Sequence, residues 1–167
     1  MTELFTSQRF DPQKHDVSTF ESGQPALDDW LRNNAETEDR RGHSRTWVWV
    51  GESGRVLGYY TLTAHKIARE SVPAKVGRGG PREIPATLIG KLALSMDLRG
   101  QGLGILLLAD ALDRIVAASH QVAARLVVVD AVNEKVATWY ESLGFVRVPA
   151  SLVLVQRVVD IAAAREA

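Results

Sequence analysis

The chain has 167 residues, 46% of them hydrophobic, with no cysteine and 20 Lys+Arg set against 20 Asp+Glu. That size and composition suit one folded domain spanning residues 1–167, the missing cysteine excludes disulfides and thiolate metal sites, and a net charge of zero, taken whole, argues against a nucleic-acid binder. The start, MTELFTSQRFD, lacks a basic stretch followed by an apolar core, so no secretory signal is expected. The most apolar stretch, LGILLLADALDRIVAA, is broken by Asp110, Asp113 and Arg114 and falls short of the ~18 residues of a membrane span. A cytoplasmic protein without membrane association is expected.

The zero does not survive division. Residues 1–39 carry Arg9, Lys14 and Arg32 against nine carboxylates, a net of −6; residues 40–91 come to +7; residues 92–167 come to −1. A basic middle third can face a polyanion, because steering depends on local potential more than on total charge. It can equally be a solvated loop in an Arg-rich chain.

No repeat, low-complexity tract or linker divides the sequence. Leu4–Phe10 reads as a short strand. Pro25 opens a helix in which Leu27, Trp30, Leu31 and Asn34/Ala35 recur at helical spacing up to the charged run Glu36–Arg41. Thr46–Val50, a turn at Glu52–Gly54 and RVLGYYTLTAHKIA read as a β-hairpin. Residues 71–85, with three prolines and three glycines, read as a loop, and IGKLALS as a strand. A glycine turn then leads into a helix from about Ile105 to Ser119, with a polar stripe at Asp110, Asp113, Arg114 and Ala117 and its other faces buried. RLVVVDAV reads as a strand buried on both faces. Asn133 caps a helix that runs to Leu143 and stops at Gly144. Two strands, FVRV and SLVLVQRVV, close the chain. The expected fold is α/β or α+β: a mixed, largely antiparallel sheet flanked by helices, with one β-α-β crossover around residues 91–130.

The turn RGQGLG, Arg99–Gly104, lies between a buried strand and a helix start. Glycines there let backbone N–H groups approach a ligand, and the helix N-terminus favours an anion such as a pyrophosphate. A Walker A loop is excluded by the missing Gly-Lys-Ser/Thr. The dinucleotide fingerprint fails because Ile105 stands where its third glycine should be. A purely structural turn remains open on these residues alone.

In context, the order strand, Arg-x-x-Gly-x-Gly, helix resembles the acetyl-CoA motif of GCN5-related N-acetyltransferases (GNAT), with Arg99, Gly102 and Gly104 in its three fixed places. NEKVATWYESLGF, Asn133–Phe145, is similar to that family's later segment, an Asn-led helix ending in Tyr-x-x-x-Gly-Phe. More narrowly, FESGQPALDDWL, the GYY of Gly58–Tyr60, IPATLIGKLALS and VVVDAVNEKVATWYESLGF resemble the TacT-like GNAT toxins of bacterial toxin–antitoxin pairs. The resemblance implies a GNAT fold and acetyl-CoA as cosubstrate. It implies the α-amino group of an aminoacyl-tRNA as acceptor, a ribbon-helix-helix antitoxin as partner, and a homodimer. It places the backbone of Leu92, Ala93 and Leu94 along the pantetheine arm, with an N–H, that of Leu94, at the acetyl carbonyl. The pyrophosphate falls on Arg99, Gly100, Gln101, Gly102, Leu103 and Gly104. Asn133 matches a position that touches the cofactor in relatives, and a plain helix cap is the other reading.

Acetyl transfer needs a neutral amine, an oxyanion stabiliser and a proton for the departing thiolate. Tyr140 is the expected proton donor: a phenol of pKa about 10 is protonated at neutral pH and can donate to a thiolate whose conjugate acid lies near 8.5. A core role is the other reading, since Val136, Tyr140 and Leu143 share a helix face. No base commits itself among Glu70, Glu83 and His65. At pH 7 a lysine amine is neutral in roughly 0.04% of molecules and an α-amine in roughly 10–20%, so a site without a strong base favours an α-amine. Of the basic residues Arg40, Arg41, Arg45, Lys66, Arg69, Lys75, Arg78, Arg82 and Lys91, the loop residues Lys75, Arg78 and Arg82 are the leading tRNA contacts. Arg40, Arg41 and Arg45 could instead pair with Glu36, Glu38 and Asp39. The histidines are isolated, so no metal is expected. Two other functions stay open: an N-acetyltransferase of small-molecule or peptide amines, and a non-catalytic acetyl-CoA-binding module.

Overall fold

The computed structural model describes residues 6–166. Seven strands form a mostly antiparallel sheet in the order β1-β2-β3-β4-β5-β7-β6. They are β1 (Ser7–Arg9), β2 (Arg45–Val50), β3 (Val56–Ala68), β4 (Glu83–Leu94), β5 (Leu126–Asp130), β6 (Val146–Arg147) and β7 (Val153–Arg157). The helices are α1 (Pro25–Asn33), α2 (Ala35–Arg40), α3 (Ala74–Gly77), α4 (Leu103–Ser119), α5 (Glu134–Ser142) and α6 (Val158–Glu166). None among the described residues is long and apolar enough to cross a membrane. The chain divides into two compact units, one of Met1–Thr63 with Lys91–Ala111 and one of Ala64–Gly90 with Leu112–Ala167.

In the first unit β1, β2 and β3 pair antiparallel, with Trp47 opposite Tyr60 and Val48 opposite Tyr59. The helical spacing of Leu27, Trp30 and Leu31 puts one face of α1 on a core of Phe20, Leu31, Ala35, Val48, Val56, Tyr59 and Ala93. Tyr59 stacks on Trp30 and donates its hydroxyl to the carbonyl of Leu27 at 2.7 Å. Tyr60, on the opposite face of β3, donates to Asp110 of α4 at 2.9 Å. Gly58 of β3 faces the end of β4: a Cβ there would lie in ordinary contact, 3.4 Å, from the Ala93 carbonyl and from Leu94 and Leu107.

In the second unit β4 and β5 pair parallel from Ala86–Leu126 to Ile89–Val129, and β7 pairs antiparallel with β5. Leu126 to Val129 are buried without alternation, as expected of a strand covered on both faces. Val72, Val76, Ile84, Ala86, Leu126, Val128 and Val155 form this unit's core.

The structure differs from the sequence reading in five places. Of the expected strand Leu4–Phe10, Leu4 and Phe5 lie outside the described residues, and β1 covers Ser7–Arg9. The first helix is two, broken at Asn34, whose φ of −126° is not helical. The loop at 71–85 contains α3, and its last residues already belong to β4, which starts at Glu83 rather than Ile89. The alternation there, Ile84 and Ala86 buried between exposed Glu83 and Pro85, is a strand period that a density of Pro and Gly conceals. The helix α4 leaves Ile105 and Leu106 about half exposed, so its polar stripe does not mark its only open face. Finally, the segment read as a closing strand ends at Arg157 and continues as α6. Ala162–Ala164 favour helix, Val158 and Ile161 bury one side, and Arg165 forks onto Asp113 at 2.6 and 2.7 Å.

Candidate active site

Leu92, Ala93, Leu94 and Arg99–Gly104 all lie in the first unit, in one continuous stretch. The N–H of Ser95 bonds to the Leu57 carbonyl and that of Lys91 to the Thr61 hydroxyl, while the Ala93 carbonyl faces Gly58. Odd residues therefore turn their backbone groups toward β3. By the two-residue period of a strand, Leu92 and Leu94 turn theirs to the other edge. The register with β5 stops at Ile89, and β4 runs on to Leu94. Leu92 and Leu94 thus suit an added strand such as a pantetheine arm, whereas Ala93 serves the sheet.

After β4 a single 3-10 turn, Met96–Leu98, leads to the glycines. Gly100 and Gly102 have φ of +78° and +71°, and a Cβ on either would meet nothing within 4 Å. These glycines are required by a left-handed backbone and not by crowding, and the space before them is open. The first N–H groups of α4 have no partner within the helix, so the turn offers an anion both oriented donors and a positive helix end. Gly102→Ala is expected to raise the acetyl-CoA KM about tenfold, from the ~1–2 kcal/mol that a left-handed conformation costs a residue with a Cβ, with kcat nearly unchanged. Initial-rate kinetics at varied acetyl-CoA check this.

Tyr140 and Asn133 lie in the second unit. The Asn133 side-chain carbonyl accepts from the Val136 N–H at 2.9 Å, so its oxygen caps α5 and only its amide NH2 is left for a ligand. At the other end Gly144, at φ +98°, reverses the chain, and the N–H of Phe145 bonds to the Tyr140 carbonyl. This brings Phe145 edge-on to Tyr140 with ring centroids 5.4 Å apart, while the Trp139 ring lies tilted to it at 5.1 Å. The Tyr-x-x-x-Gly-Phe spacing is therefore the geometry of a helix end that clamps one phenol. Tyr140 is 4% exposed, and burial pushes its pKa above the usual tyrosine range. It stays protonated throughout the physiological range.

Lys75, Arg78 and Arg82 are exposed on the connection from β3 to β4 in the second unit. Arg69 and Glu70 line two clefts, one flanked by Arg78 and the other by Arg82; Lys75 lines a third with Gly144 and Asp160. Two guanidinium groups pin the connection by its backbone carbonyls: Arg69 donates to the Gly80 carbonyl and Arg125 to that of Arg78, both at 2.8 Å. Arg125, beyond the basic block and absent from the sequence candidates, is the residue that holds Arg78 in place. Arg40 pairs with Glu36 at 3.6 Å and Arg45 with Asp39 at 3.1 Å, as their spacing allowed. Lys66 pairs with Glu83 at 3.0 Å, which also occupies that candidate base. Lys91 sits over the Trp30 ring at 4.4 Å. His65 and Glu70 are exposed.

An acetyltransferase (GNAT) domain matches residues 42–147. A "tRNA-acetylating toxin" of Mycobacterium tuberculosis (strain ATCC 25618 / H37Rv) is 36% identical over 130 residues, 78% of each chain. Among solved structures, AtaT complexed with acetyl-methionyl-tRNAfMet superposes with a TM-score of 0.87 at 29% identity, covering 96% of this chain and 98% of that one. A tyrosine-to-phenylalanine mutant of the AtaT toxin, bound to the C-terminus of the antitoxin AtaR and acetyl-CoA, superposes with a TM-score of 0.82 at 27% identity, covering 97% and 98%. The chain belongs to the GNAT acetyltransferase family.

Proposed function

We propose that this acetyltransferase acts in the cytoplasm as a toxin that moves the acetyl group of acetyl-CoA onto the free α-amino group of an aminoacyl-tRNA, as a homodimer held in check by an antitoxin with a ribbon-helix-helix DNA-binding part. The observation that carries the reading is the pinned basic connection, residues 69–82, with the candidate bases His65 and Glu70 exposed and Glu83 paired to Lys66. Exposed Lys75, Arg78 and Arg82 suit phosphates, which supply affinity without reading sequence. With Glu83 tied to Lys66 and His65 and Glu70 in solvent, an α-amine suits the site, since its neutral form is already abundant. The relative named for tRNA acetylation and the neighbours solved with acetylated tRNA, antitoxin and acetyl-CoA support the same reading.

In this mechanism Leu92 and Leu94 hold the pantetheine arm through their backbones, and Arg99–Gly104 hold the pyrophosphate. The amine nitrogen attacks the thioester carbonyl carbon, and the Leu94 N–H donates to the oxygen as it gains negative charge. The C–S bond then breaks, Tyr140 gives its hydroxyl proton to the thiolate, and the proton shed by the amine returns to the phenolate through solvent. Asn133 caps α5 and so positions the helix that carries Tyr140.

Incubation with labelled acetyl-CoA and a pool of charged tRNAs tests the proposal. Label is expected on the aminoacyl group, alkali-releasable with it from the tRNA. Label on free amines or peptides and none on any tRNA overturns it.

A further inference from the structure

The motif FESG-x-x-x-x-D, Phe20–Asp28, is not absorbed by the acetyl-CoA turn or by the acceptor loop. Asp28 is 4% exposed and Ser22 1% exposed. A buried carboxylate is costly unless it is fully hydrogen-bonded, and here both oxygens accept from the Ser22 N–H at 3.1 Å and one accepts from the Ser22 hydroxyl at 2.5 Å. The Ser22 hydroxyl in turn accepts from the Gln24 N–H at 3.2 Å. Ser22 is thus fixed in orientation, and its carbonyl receives the Arg99 guanidinium, a residue 77 positions later in the chain. The neighbouring Gly23, at φ +87°, is required by its backbone conformation and lies against the Arg99 side chain. Its backbone is left-handed, and a Cβ would come within 3.3 Å of the Arg99 guanidinium and 3.6 Å of the Met96 sulfur.

A second bond runs in the same direction, from the Met96 N–H to the Glu21 carbonyl at 2.8 Å. The segment that enters the glycine turn is therefore fastened at Ser95 to Leu57, at Met96 to Glu21 and at Arg99 to Ser22. Beyond Arg99 come Gly100 and Gly102, with nothing in contact at their Cβ positions. Arg99 is thus anchored immediately before the backbone donors that would face a pyrophosphate.

We infer that Asp28, acting through Ser22 and the Arg99 guanidinium, is a positioning residue that sets the acetyl-CoA pyrophosphate cradle. The inference rests on the reading of Arg99–Gly104 as that cradle. Arg99 then works by two separate parts of one residue: its main chain opens the turn, and its side chain faces backward to the Phe20–Asp28 loop. A carboxylate at 28 suits the two donors on Ser22 because both its oxygens only accept: Oδ1 takes the N–H and the hydroxyl, and Oδ2 shares the N–H. An amide would set its NH2 against one of those donors.

The test compares the affinities of acetyl-CoA and S-acetyl-pantetheine, which lacks the pyrophosphate and nucleotide, by competition against labelled acetyl-CoA. It uses the parent protein, Asp28→Asn, Ser22→Ala, Arg99→Met and the Asp28→Asn/Arg99→Met double variant. Asp28→Asn is expected to weaken acetyl-CoA about tenfold, the scale of a lost charged hydrogen bond, and to leave acetyl-pantetheine within about twofold. Ser22→Ala keeps the N–H bonds and should fold like the parent with a smaller loss in the same direction. The double variant should lose no more than Arg99→Met alone, because Asp28 has nothing to hold once the guanidinium is gone. Equal weakening of both ligands by Ser22→Ala and Asp28→Asn would mean that the loop only supports the fold. Additive losses in the double variant would mean that Asp28 does not act through Arg99. Either result overturns the inference. A parent protein that binds both ligands equally overturns the cradle reading itself, and is told apart from failure of the brace, where the parent prefers acetyl-CoA and Asp28→Asn keeps that preference.

Discussion

Tyr140→Phe is expected to lower kcat about 10²-fold or more, the usual share of a positioned general acid, while the acetyl-CoA dissociation constant stays within about twofold of the parent. The substitution removes one oxygen and keeps the ring that packs edge-on against Phe145, so the helix end that holds it should be undisturbed. The pH profile adds a second check. Burial raises the phenol pKa, which keeps the proton in place as pH rises, so Tyr140 contributes no descending limb to kcat/KM below pH ~10. The ascending limb should instead follow loss of the acceptor's ammonium proton, near ~8 or lower for an α-amine. A raised phenol pKa also makes a weaker acid, and this is offset where the thiolate leaves into equally dry surroundings, since desolvation raises its conjugate acid too. The proton is then expected to move as the C–S bond breaks. Equal turnover by Tyr140→Phe and parent would remove Tyr140 from the chemistry.

Much of this was legible in the sequence because the features were local. The glycine turn reads directly, since a left-handed backbone at Gly100 and Gly102 has few other solutions. Asn133 and Gly144 bracket α5 by capping rules that act over a single helical turn. The strand β5 announced itself by unbroken apolar residues. What the sequence hid was non-local or contradicted by its own punctuation. The prolines and glycines of 71–85 mask the strand period of Glu83–Ala86, and the β-branched Val158 and Val159 mask a helix whose stability comes from burying Val158 and Ile161 and from Arg165 on Asp113. The side-chain partner of Arg99 could not be read at all. A residue that matches a family position for its backbone carries no sign of where its guanidinium goes, and the answer lies 77 residues upstream. Ala93 shows the same limit on a smaller scale. Three consecutive residues looked equivalent for the pantetheine arm, and only the pairing with β3 separates Leu92 and Leu94 from it.

The triple variant Lys75→Glu, Arg78→Glu, Arg82→Glu is expected to raise KM for charged tRNA at least tenfold at low salt and to leave kcat nearly unchanged. Each phosphate contact contributes about 0.7–0.9 to the slope of log affinity against log salt, so losing three should flatten that slope by about 2. The reversal is chosen to leave the platform intact. All three side chains are exposed, and the connection is held by Arg69 on the Gly80 carbonyl and Arg125 on the Arg78 carbonyl, bonds that do not use the substituted side chains. Substituting Arg69 would confuse two effects, since its guanidinium is itself a pin. The slope also separates the acceptors. An enzyme for small or peptide amines should show little salt dependence in the parent and none to lose. An enzyme for charged tRNA should show a steep parent slope and a flatter one in the variant, while its rate on an aminoacyl ester that lacks the polyanion stays the same in both. A variant with the parent's salt slope on tRNA would take residues 75–82 out of the acceptor interface.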